Sequence, residues 1–149
     1  MQLIMFIGIQ GAGKSTFYQS HFFHSHLRLN KDMLKTNHRL QLLFEACLAS
    51  KTKMVLDKTN PTVLERADFI MAAKAAGFEV IAYYFDCPFQ DALARNNRRE
   101  GKAKIPDIGV KGTAKKMQLP SFEEGFDKLF MVKVGDNNFT VQENIHKAV

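Results

Sequence analysis

The sequence predicts a three-layer α/β fold around a parallel sheet of about five strands. Three observations predict it. Short apolar runs alternate with stretches of helical spacing, turn and cap residues separate them, and the chain has 149 residues, the usual size of one domain.

The elements follow in order. Residues 3–7 are a short continuous apolar run, as expected of a strand covered on both faces. A glycine-rich turn follows, then a helix from Ser15 to about Phe23. Residues 27–30 read as a short second strand. Residues 31–49 carry Met33, Leu34, Leu40, Leu43, Phe44 and Leu48 at helical spacing. Residues 53–56 read as a third strand ending at Asp57. Pro61 or Thr62 opens a helix to about Ala76, and Gly77 suits its C-terminal stop. Residues 78–85 are a fourth, β-rich run. Pro88 opens a helix to about Glu100, and residues 129–134 are the last strand. Residues 1–134 are thus expected to form one domain, with 135–149 a tail ending in a short helix.

The bulk composition narrows the class. Hydrophobic residues are 46% and charged residues 24%, which argues against a disordered chain. A net charge of +6 favours polyanionic partners, or is simply a basic surface. The apolar runs all fall short of the ~20 residues of a membrane span. The N-terminus lacks a basic region and a cleavage site and reads as a strand, not a signal peptide. Two cysteines without metal-site spacing suit a reducing compartment, so the expected location is cytoplasmic. Cys47 and Cys87 read as buried small apolar residues, and Phe6, Phe69, Phe78 and Phe85 as core. His21, His24 and His26 read as a helix end.

Gly8-Ile9-Gln10-Gly11-Ala12-Gly13-Lys14-Ser15 fits G-x-x-x-x-G-K-[ST] at every defined position, after a strand and before a helix. This makes the expected architecture a P-loop NTPase fold. Gly11, Ala12 and Gly13 let backbone N–H groups surround a β-phosphate, and the helix N-terminus favours negative charge. Lys14 is expected on the β- and γ-phosphates of ATP, and Ser15 on Mg²⁺.

Parallel sheets bind ligands beyond the carboxyl ends of their strands. The polar segments 8–15, 30–35 and 57–60 fall there and are expected to line one cleft. Asp32 can take or orient the proton of an attacking hydroxyl, or cap its helix. Lys35 lies one turn on and can hold an acceptor phosphate. Asp57 ends a strand in the manner of a Walker B acid serving Mg²⁺, or forms a turn with Thr59 and Asn60. Residues 95–116 hold Arg95, Arg98, Arg99, Lys102, Lys104, Lys111, Lys115 and Lys116 against Glu100 and Asp107. This segment reads as a basic lid over about residues 95–118, or as a solvated surface.

Together these residues resemble the 5′-kinase domain of phage and animal polynucleotide kinases. The likeness rests on residues 8–16, Asn30-Lys31-Asp32 with Lys35, Asp57-Lys58-Thr59-Asn60-Pro61, Arg95-Asn96-Asn97-Arg98-Arg99 and residues 118–126, and it covers about residues 3–134. The resemblance implies that Lys14, Ser15 and Thr16 serve ATP and Mg²⁺, and that Asp32 is the general base toward a 5′-hydroxyl. It implies that Asp57 and Asn60 support the acceptor, with Lys35 at its phosphate. Arg99 is then the lid arginine on the donor phosphates, with Arg95 nearby. The family commonly has Arg at position 35, and Lys lacks its two-armed fork. The chain carries no Asp-x-Asp-x-Thr phosphatase signature, so a phosphatase or ligase partner is expected to be a separate chain. The alternatives are a P-loop kinase of a nucleoside or sugar nucleotide, and an ATP-binding regulatory module that transfers nothing.

Overall fold

The computed structural model describes residues 1–99, 105–135 and 138–144. Within them, six strands form one sheet in the order β2-β3-β1-β4-β5-β6. The strands are β1 (Gln2–Ile7), β2 (Leu27–Asn30), β3 (Met54–Asp57), β4 (Glu79–Asp86), β5 (Lys128–Val134) and β6 (Phe139–Asn144). The first five run parallel, with Leu3 opposite Met54 and Val80.

The sixth strand corrects the sequence reading, which left 135–149 as a tail. Residues 139–144 pair antiparallel with β5, from Val134 opposite Phe139 to Leu129 opposite Asn144. The segment is mostly exposed and polar, so it lacks the apolar run that marks the inner strands. Its anchor is Phe139, whose ring meets Phe17 edge-on at 5.2 Å.

Period-two alternation in β1 builds two cores. Leu3, Met5 and Ile7 face Leu40, Phe44, Ile70 and Ala73. Ile4 and Phe6 face Phe17, Phe22, Phe85, Ala92 and Val110. Two helices, α3 (Asn37–Ser50) and α4 (Val63–Ala75), supply the first layer. The other layer comes from α1 (Lys14–His21), α5 (Phe89–Asn97) and α6 (Asp107–Lys116). This is the expected three-layer α/β arrangement.

Caps set the helix boundaries. Thr36 accepts from the Arg39 N–H at 3.1 Å, and Thr62 from the Glu65 N–H at 3.1 Å. The single helix expected over 31–49 is in fact two. A short α2 (Lys31–Leu34) ends at Lys35, whose φ is 77°, and the extended Thr36 then restarts the chain as α3. Pro106 opens α6, which runs through both Gly109 and Gly112. Residues 100–104, the middle of the expected lid with Lys102 and Lys104, lie outside the described residues, as do 145–149. No helix among the described residues is long and apolar enough to cross a membrane.

Candidate active site

The loop between β1 and α1 is held open by its glycines. Gly11 and Gly13 have φ of 80° and 93°, a conformation that side chains disfavour. Gly11 is further constrained from outside: a Cβ there would lie 2.1 Å from the Ala92 carbonyl of α5. The loop therefore seats directly on α5. Gly13 caps α1 with no side-chain hydrogen bond, so the first-turn N–H groups of α1 have no side-chain cap and could meet an anion.

Lys14 is buried at the mouth of this loop. Its ammonium donates to the carbonyls of Gly8 at 2.9 Å and Ile9 at 2.7 Å. Burial lowers its pKa from 10.5 to about 8, against the attraction of Asp57; the Arg99 charge lowers it further. A cation held this way is poised to exchange loop carbonyls for phosphate oxygens.

The three polar segments do meet in one cleft of about 370 Å³. Its wall includes Lys14, Ser15, Asp32, Asp57 and Arg99. The Gly8 N–H donates to the Thr59 carbonyl at 3.1 Å, which ties the glycine loop to the loop after β3. Asn30 bridges the other pair: its amide donates to the Asp57 carbonyl at 3.1 Å, and its Oδ1 accepts from the Met33 N–H at 2.9 Å. Asn30 is therefore the cap of α2, and Asp32 on the cleft wall is not needed for that duty.

Asp57 is 1% exposed and belongs to the Ser15 side of the cleft. Its Oδ2 accepts from Ser15 Oγ at 3.5 Å and from Arg28 Nε at 2.8 Å. The Ser15 hydroxyl and the Asp57 carboxylate are hard oxygen donors of the type Mg²⁺ prefers, so this pair fits that ion. Arg28 was missed in the sequence because one Arg in a short strand carries no motif.

Four expected site residues stand elsewhere. Asn60 is fully buried with φ of 44°, and its amide donates to the Phe6 carbonyl at 2.7 Å. It holds the loop beneath the cleft and is not on the cleft wall, so any support it gives an acceptor is indirect. Lys35 is exposed at the end of α2 and is also off the wall, because its positive φ turns the chain there. Arg95 donates to the Gly135 carbonyl at 3.0 Å and to Cys87 Sγ at 3.8 Å, fastening α5 to the end of β5. Cys87 itself is half-buried, unlike the buried Cys47. Thr16 is exposed and faces a second hollow shared with Tyr18, Gln19, Phe23 and Arg28.

The wall also has two cations to which the sequence gave no role, Lys31 and Lys58, and Lys116 of the basic segment. The Lys58 ammonium lies 5.4 Å from the centre of the Phe69 ring. Burial, then the neighbouring Lys31 charge, lowers its pKa. Two cations kept this close on one wall favour a polyanion.

The family described as AAA domain matches residues 3–120. A bifunctional polynucleotide phosphatase/kinase of Schizosaccharomyces pombe (strain 972 / ATCC 24843) is 28% identical over 131 residues, 84% of this chain and 32% of that protein. A protein of Acanthamoeba polyphaga mimivirus, given the same name provisionally, is 30% identical over 135 residues, 86% of this chain and 32% of that protein. The chain thus spans about a third of the length of the curated relatives it matches. Among solved structures, Chaetomium thermophilum Kti12 in complex with ADP-AlF3 superimposes with a TM-score of 0.69 at 16% identity, over 91% of this chain and 90% of that one. That likeness supports the fold. The resemblance to polynucleotide kinases read from the motifs is met by the two curated relatives.

Proposed function

The chain belongs to the AAA domain family, and from that premise we propose that it is an ATP-dependent kinase that transfers the γ-phosphate to the 5′-hydroxyl end of a polynucleotide. One observation carries the reading: a single cleft joins Lys14 and Ser15, suited to a phosphate donor, with Asp32, suited to an acceptor hydroxyl. The names of the curated relatives support the acceptor class.

In this reading the first-turn N–H groups of α1 and the Lys14 ammonium hold the donor phosphates. Ser15 and Asp57 hold Mg²⁺, which supplies charge neutralisation when bound. Asp32 accepts the proton of the attacking hydroxyl at its carboxylate. Arg99 stabilises the charge that develops on the transferring group, and Arg95 fixes the helix that precedes it. Lys31 and Lys58 give the acceptor's phosphates a basic wall, with Lys35 at its rim. Asn60 acts from below as a positioning residue for the Asp57 loop.

The test is incubation with γ-labelled ATP, Mg²⁺ and 5′-hydroxyl RNA or DNA oligonucleotides. Label is expected on the 5′ end. A protein that binds ATP but labels no oligonucleotide overturns the acceptor assignment, and label on a nucleoside or sugar nucleotide instead replaces it. Asp32→Ala is expected to abolish transfer and leave ATP affinity within about twofold, since the carboxylate serves the acceptor half.

A further inference from the structure

Arg28 has no part in phosphoryl transfer as described above, yet it bonds both Asp57 and Ser15 from the second hollow. Its Nε donates to Asp57 Oδ2 at 2.8 Å and its Nη2 donates to Ser15 Oγ at 2.7 Å. The Tyr18 ring centre lies 5.7 Å from the guanidinium carbon. The cation is thus held by an aromatic ring, a buried carboxylate and a hydroxyl.

Those two oxygens are the pair that fits a divalent cation. The guanidinium cannot keep both bonds while a second cation sits on the same atoms, because like charges at that distance repel strongly. Without Arg28, Asp57 would be a nearly buried carboxylate with Lys14 as its remaining close cation, which is a costly arrangement. The Arg28 side chain is 27% exposed, and the hollow beside it, about 300 Å³ in volume, leaves room for it to move.

We propose that Arg28 is a resident counter-cation for the Asp57–Ser15 position, which a divalent metal must displace in order to bind. The proposal rests on the kinase reading above, since it takes that position as the metal's. In the empty protein Arg28 neutralises Asp57 and holds the Ser15 hydroxyl. Metal entry breaks one or both bonds and turns the guanidinium toward the hollow. Metal affinity is therefore set by a difference between two cations, and it is weaker than the same oxygens would give alone.

The experiment is a Mn²⁺ titration of the full chain followed by electron paramagnetic resonance, with and without ADP, beside thermal unfolding at each metal concentration. Arg28→Gln is expected to lower the Mn²⁺ midpoint roughly three- to tenfold, as loss of a competing partly exposed ion pair should. The same variant should melt earlier without metal and regain more on metal addition than the wild type does. Arg28→Lys keeps the charge but not the two-armed reach, so its midpoint should fall between the two. A midpoint in folded Arg28→Gln that is unchanged or higher overturns the proposal. If that variant does not fold, Arg28→Lys decides, and a wild-type midpoint overturns it. Absence of any ADP effect on the wild-type protein would instead count against the kinase reading, whereas an ADP effect with a metal midpoint insensitive to position 28 removes only the role of Arg28.

Discussion

Arg66 and Glu124 form a buried ion pair across 58 residues of chain, with Nη1 at 3.1 and 3.2 Å from the two carboxylate oxygens. The Arg66 side chain is 0% exposed and that of Glu124 4%. The same guanidinium donates to the carbonyls of Asn60 at 2.7 Å and Pro61 at 3.1 Å, and to that of Gln118. One side chain therefore binds the loop after β3 to the segment after α6. Glu124 closes the arrangement by accepting from the Ser121 N–H at 2.9 Å.

Removing one partner of this pair should be severe, because the other charge stays buried and three carbonyls lose a donor. Arg66→Ala is expected to destabilise the fold by about 3–5 kcal/mol. Chemical denaturation reads this directly. A loss under about 1 kcal/mol would show that the loop holds its place without Arg66.

Asn60 makes a second, independent brace. Its amide satisfies the Phe6 carbonyl inside the sheet, and its φ of 44° is one that Asn tolerates better than most residues. Asn60→Ala should cost about 2 kcal/mol, from the unpaired carbonyl and the strained backbone together. Equilibrium unfolding of the variant checks this, with transferase activity falling as the Asp57 loop loosens.

Gly11 couples the phosphate loop to α5. Any Cβ at position 11 meets the Ala92 carbonyl and also requires a disfavoured φ. Gly11→Ala should cost at least about 1–3 kcal/mol in backbone strain alone. Nucleotide affinity should fall with it, since the loop cannot keep its shape against the helix. Calorimetric titration with ADP measures the loss, and wild-type affinity would show that the loop and α5 move apart freely.

Lys14 gives a pH dependence whose sign follows from its burial. Its pKa is lowered from 10.5 in the unfolded chain to about 8 in the fold. Between these values the unfolded state binds more protons, so this group makes stability rise with pH across about 8 to 10.5. Below about 8 its full burial cost is present. Lys14→Met should remove that slope, which stability measured at a series of pH values will show. Donor phosphates should pull the proton back on, so ADP binding near pH 8.5 to 9 should take up protons, seen as a buffer-dependent heat.

Much of the fold and half of the site were legible because they rest on local rules. The run at residues 3–7, the glycine loop and the cap Thr62 act over a few residues. They place strands, helix starts and Lys14 without reference to distant partners. The break of the expected helix at Lys35 was not legible, because helical spacing of apolar residues carries across a single turned residue. Strand β6 was missed because an exposed edge strand needs no apolar run.

The sequence by itself determined a parallel α/β sheet, a glycine loop at its carboxyl edge, and the gathering of Lys14, Ser15, Asp32 and Asp57 there, since strand ends and motif spacing suffice for that; the structure added Arg99 to the wall. Only the tertiary structure decided which polar side chains face the cleft and which hold it up. Asn60 and Arg66 became braces, Arg95 a tether and Arg28 the cation on Asp57. The reason is physical: a side chain's role follows from the donors, acceptors and solvent around it. Those neighbours come from segments tens of residues away, which no local pattern of residues encodes.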